Sequence, residues 1–93
     1  LVLCPREALV PREVSPGPHG VVAFGTLPVL PQGWEGHVLP EDPVEAGARL
    51  FALLHDLDGR GYEQIRFQEP PRGDAWLALW DRLQRASARE ELR

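Results

Sequence analysis

The sequence predicts an α/β domain: a small, mostly parallel sheet of about four strands, flanked by helices. Three observations carry this. Residues 1–4 (Leu-Val-Leu-Cys) and 21–24 (Val-Val-Ala-Phe) are continuous apolar runs, the pattern of strands covered on both faces. A capped amphipathic helix begins at Asp42. Finally, strands and helices alternate through short connections in the second half, as they do in parallel sheets.

The first run ends at Pro5, and Pro11, Pro16, Gly17 and Pro18 leave room for no more than one helical turn before the second run. After Gly25-Thr26, residues 27–36 read as a loop holding Pro28, Pro31, Gly33 and Trp34, and 37–39 as a short third strand stopped by Pro40. Asp42 is a helix cap, Pro43 suits the first turn, and Glu45 completes a capping box. Ala46, Leu50, Leu53, Leu54 and Leu57 recur at helical spacing, with Val44 and Phe51 widening the stripe and Gly59 ending it. Residues 62–68 alternate, Ile65 and Phe67 inward, Gln64, Arg66 and Gln68 outward, which predicts a strand at a sheet edge. Asp74 is a cap for a last helix whose Trp76, Leu79, Trp80, Leu83 and Ala86 share one side, with a fraying tail from Ser87.

At 93 residues this is one domain, 1–93, with a modest core and no room for a two-lobed catalytic cleft. The net charge of -4 argues against direct nucleic-acid binding, because phosphate contact needs a basic footprint. No apolar run approaches the ~20 residues that span a bilayer. A single cysteine, Cys4, permits no intrachain disulfide and fits a reducing cytoplasm. Lys and Asn are absent and Pro numbers 10, a composition suited to a thermophile. Met is absent and the chain opens on a strand-like run, as a piece of a longer polypeptide would.

No catalytic residue, metal site or cofactor is predicted. His19, His37 and His55 have no partner at ligand spacing, Ser15 and Ser87 lack the Gly-x-Ser-x-Gly context of a nucleophile, and no phosphate-loop motif occurs. The candidates for binding a nucleotide or another small ligand are Gly25 and Thr26 after the second strand and Glu69 and Arg72 after the fourth. In open α/β sheets ligands gather at the carboxyl ends of strands. Candidates for a partner surface are Trp34 in the long loop and Arg82, Arg85 and Arg89 on the last helix, since Trp and Arg are favoured in interfaces.

Ala48-Arg49-Leu50-Phe51, Leu54-His55-Asp56-Leu57-Asp58, Ile65, Asp81-Arg82-Leu83 and Arg85-Ala86 together resemble the C-terminal domain of two-domain threonylcarbamoyl-AMP synthases. The likeness spans nearly the whole chain, but its specific part is residues 46–86. It implies a Rossmann-like accessory domain without the catalytic machinery, partnered with a catalytic synthase domain. In that family the catalytic domain makes threonylcarbamoyl-AMP from threonine, bicarbonate and ATP for a tRNA modification serving translation. The interdomain linker carries a His-Tyr-x-Pro motif, which this sequence lacks. His55 stands where that family usually has Arg, and Gly73-Asp74-Ala75-Trp76 replaces a more Gly-rich turn. The functional expectation is a docking module, with a nucleotide- or small-ligand-binding module as the alternative.

Overall fold

The computed structural model describes residues 1–13 and 17–91, with the side chains of 88–91 outside the description. Ser15 and the Arg89 side chain therefore lie outside the described residues. The elements run β1 (Val2–Cys4), a 3-10 turn (Arg6–Ala8), β2 (His19–Phe24), β3 (Trp34–Leu39), α1 (Pro43–Asp58), β4 (Gln64–Gln68), a second 3-10 turn (Asp74–Trp76) and α2 (Leu77–Glu91). Four parallel strands form one sheet in the order β1-β4-β2-β3. Val21 and Val22 of β2 lie opposite Arg66 and Phe67 of β4, and Val2 and Leu3 of β1 flank the same two residues from the other side.

Both helices lie on one face of the sheet. Val22, Phe24, Leu39 and Phe67 meet Ala46, Leu50 and Leu57 of α1 and Leu79 and Leu83 of α2 in the larger core. Among the described residues the opposite face carries no α-helix. There Cys4, Val21, Ala23 and Trp34 are covered by Ala8 and Leu9 from the 3-10 turn and its end and by Leu30 from the loop before β3. The sheet is thus closed on both sides, which is why β2 is buried at every position and its residues 21–24 read as an unbroken apolar run.

Helix α1 follows its sequence signals closely. Asp42 accepts a hydrogen bond from the Glu45 N–H at 2.9 Å, Pro43 is the first helical residue, and the Gly59 N–H closes the helix on the Asp56 and Leu57 carbonyls. Val44 and Phe51 depart from the expected stripe: they are 78% and 63% exposed, so the buried face is the narrower one of Ala46, Leu50 and Leu57. Before α2, Asp74 begins a 3-10 turn capped by Gly73 and makes no side-chain cap. The helix itself continues past Ser87 to Glu91, and the Ser87 hydroxyl donates to the Leu1 carbonyl at 3.1 Å.

The expected edge position of the alternating strand is overturned, because β4 lies between β1 and β2. Gln64 on its polar face stays exposed, but chain covers part of Arg66 and Gln68. Arg66 donates to the Leu9 and Ala8 carbonyls at 2.9 and 2.7 Å, and the Gln68 amide oxygen accepts from the Phe24 N–H at 3.0 Å. The third strand also begins earlier than its sequence suggested. Trp34 opens β3 and is only 8% exposed, its ring set edge-on to His19 at 4.8 Å.

Candidate functional site: a cleft at the strand ends and a groove between the helices

With four parallel strands, every strand ends at the same edge of the sheet. The residues that follow build a cleft of about 330 Å³ there. Arg6 comes from beyond β1, Thr26 from beyond β2, Glu41 from beyond β3, and Gln68 from the last position of β4, with Pro71 at the side and Phe24 and Trp76 as an apolar floor. The two floor rings pack edge-to-face, 5.4 Å apart.

Arg6 is held by three hydrogen bonds. Its Nη1 donates to the Thr26 carbonyl at 2.9 Å and to Gln68 Oε1 at 3.2 Å, and its Nη2 donates to Thr26 Oγ1 at 3.0 Å. All three acceptors are neutral, so they position the guanidinium without cancelling its charge. Gly25 turns the chain with a φ of +79°, a conformation that favours glycine. A Cβ there would stand 2.5 Å from Glu41 Oε1, so the bare glycine also gives the Glu41 side chain its place.

Of the residues expected to bind a ligand, Thr26 lines this cleft and Gly25 shapes its wall. Glu69 and Arg72 serve elsewhere. The Glu69 N–H donates to the Cys4 carbonyl at 2.8 Å, tying β4 to β1, and the Arg72 guanidinium stacks 4.3 Å over the Trp80 ring. Sequence reading missed Arg6, Glu41 and Gln68. Arg6 and Gln68 are 62 positions apart, and only the strand order brings them together.

The expected partner surface divides in the same way. Trp34 belongs to the core. Arg82 and Arg85 line a larger groove of about 600 Å³ between α1 and α2, together with Phe51, Leu54, His55 and Asp81. The Arg82 guanidinium sits 3.4 Å over the exposed Phe51 ring. Arg85 pairs with Asp81 at 3.3 Å across one helical turn, with both side chains open to solvent. Such a pair contributes at most about 0.5 kcal/mol, so its arrangement is easily remade by a partner.

A third cluster joins β3 to the end of α1. His37 Nε2 lies 3.0 Å from the Tyr62 hydroxyl, and Arg60 pairs with Asp56 at 2.9 Å and Glu35 at 3.6 Å. Burial, then hydrogen bonding and repulsion from Glu35, push the Tyr62 phenol above its ordinary range. On the far face, burial pushes the Cys4 thiol up, against the opposing field of Arg66. Among the described residues no three His, Cys, Asp or Glu side chains are grouped to hold a metal ion, and no helix is long and apolar enough to cross a membrane.

No curated protein and no solved structure matches the chain. A family model does, over residues 6–88, and its description is the C-terminal domain of threonylcarbamoyl-AMP synthase. The matched stretch takes in β2, β3, β4, α1, both 3-10 turns and most of α2. On that match, the chain belongs to the threonylcarbamoyl-AMP synthase C-terminal domain family, which associates it with the synthesis of threonylcarbamoyladenosine in tRNA.

Proposed function

We propose that this domain is a non-catalytic accessory module that docks on a catalytic threonylcarbamoyl-AMP synthase domain and biases its conformation, in the cytoplasm. The observation that carries the reading is the α1–α2 groove, where Phe51 is 63% exposed beneath the Arg82 guanidinium. A large aromatic left in solvent with an Arg stacked on it has the composition of an interface anchor. Family membership supplies the chemistry of the partner. The test is titration calorimetry of this chain against a catalytic synthase domain expressed without its own C-terminal domain. Phe51→Ser and Arg82→Glu should each weaken association by about tenfold or more, as loss of a central contact does. Equal binding by both variants and the parent chain would sink the docking surface, and ATP turnover by the purified domain would sink the non-catalytic role.

A second reading, binding of a nucleotide or other small ligand, is favoured by the strand-end cleft and its neutral cradle around Arg6. Thermal-shift measurement with adenine nucleotides tests it. A ligand at 100 times its dissociation constant stabilises the native state by roughly 2.7 kcal/mol, a visible shift in a domain of this size.

A further inference from the structure

We infer that the strand-end cleft is a receptor for a zwitterionic small molecule of the amino-acid type, its carboxylate on Arg6, its ammonium on Glu41 and its apolar side chain on the Phe24–Trp76 floor. This deepens the ligand-binding reading and rests on it.

The argument begins with the donors of Arg6. A guanidinium carries five N–H groups in a fixed plane. Thr26 grips the end of the fork, with its carbonyl on Nη1 and its hydroxyl on Nη2, and Gln68 takes the second Nη1 donor. That leaves Nε–H and the second Nη2–H, which share one edge of the plane. Two parallel donors on one edge match the two oxygens of a carboxylate. Among the described residues no acidic side chain is paired with Arg6, so its charge is held in place and unspent. Because the orienting hydrogen bonds already exist, a ligand does not have to order the Arg6 side chain on arrival.

Glu41 determines which carboxylate fits. It lines the same cleft, is seated by the bare Gly25, and makes no ion pair among the described residues. A ligand with several negative charges would meet its repulsion, whereas one with an ammonium beside its carboxylate satisfies Glu41 and Arg6 together. The volume of about 330 Å³ lies at the bottom of the roughly 300–1,000 Å³ range of small-molecule sites, which favours a compact ligand over a whole nucleotide. The edge-to-face floor rings are largely buried, Phe24 5% and Trp76 8% exposed, so they offer a small apolar patch that suits a short aliphatic side chain.

The test is a titration of the isotope-labelled 93-residue chain, followed by NMR at the amides of Gly25, Thr26 and Gln68. The probes are L-valine, isovalerate (which lacks the ammonium), isobutylamine (which lacks the carboxylate) and AMP. L-valine should give saturable shifts at those amides, with isovalerate and isobutylamine weaker by about tenfold or more. Glu41→Gln, an isosteric change at an exposed position, should reduce L-valine to the affinity of isovalerate. Arg6→Lys keeps the charge but loses the two-donor edge, and should weaken L-valine and isovalerate alike. If AMP saturates those amides while L-valine does not, the ligand-binding reading stands and the zwitterion assignment is overturned. If none of the four probes saturates, both fall. L-valine binding that Glu41→Gln leaves unchanged also overturns the assignment.

Discussion

Arg66 decides whether the helix-free face of the sheet is held by specific bonds or merely by proximity. Its guanidinium donates to the Ala8 and Leu9 carbonyls at 2.7 and 2.9 Å, anchoring the connection after β1 onto β4. Hydrogen bonds to a charged group contribute about 1.5–3 kcal/mol each, which sets an upper bound near 6 kcal/mol for the pair. Arg66 is half-buried, so water replaces part of what is lost, and about 2–3 kcal/mol is expected for Arg66→Ala. For a domain of this size each kcal/mol moves the melting temperature by about 4–8 °C, so the variant should melt roughly 8–24 °C lower. Arg66→Met retains most of the stem and separates packing from hydrogen bonding. The assay is urea unfolding of all three proteins, with amide exchange of residues 6–9 as the local readout. A loss below about 0.5 kcal/mol for Arg66→Ala, the range of ordinary surface substitutions, would refute the reasoning. So would unaltered exchange at residues 6–9.

Other consequences can be measured on the same chain. Asp42→Ala removes the side chain that accepts from the Glu45 N–H and should cost about 1 kcal/mol in urea unfolding, with Asp42→Asn nearly neutral. Tyr62 is the only tyrosine, so near-ultraviolet titration should report a phenol ionising above its ordinary range, and Glu35→Gln should bring it down by removing the carboxylate's contribution. Cys4 is 4% exposed with its thiol pushed up by burial, so maleimide labelling of the native chain at neutral pH should be far slower than in urea. Equal rates would contradict the burial. Both groups have folded values raised above their unfolded ones. Their contribution to stability is therefore complete below the ordinary range of each group and is lost as pH rises through the folded values, which alkaline unfolding curves should register.

Local signals in this sequence were reliable wherever they concern a single element. Asp42, Pro43 and Gly59 bound α1 because capping chemistry is contained within a few residues. The alternation of 62–68 correctly marked a strand, which the structure begins at Gln64, but polarity was mistaken for exposure. Arg66 and Gln68 point at carbonyls and an N–H from distant chain, and no periodicity reveals that. Trp34 sat among Pro and Gly and read as loop. In the fold, Leu27 and Leu30 close over Gly36 so tightly that a Cβ there would stand 2.5 Å from Leu27, and β3 extends back to Trp34 beneath that cover. Phe51 fell on a helical spacing that seemed inward, and a shift around the helix barrel placed it in solvent. The cleft was legible only in part. Gly25 and Thr26 follow from the rule of strand ends, while Arg6 and Glu41 become neighbours of those residues only once β4 and β2 are known to lie between β1 and β3.

Because the strands are all parallel, the molecule is polar in a geometric sense. Leu1 and Ile65, which flank the start of the sheet, belong to the helical groove, and the residues that follow the strands belong to the cleft. The five residues of β4 separate those ends by about 17 Å of rigid backbone. The sheet is one path between them and the start of α2 is a shorter one, since Trp76 floors the cleft and Ala78, two residues on, lines the groove.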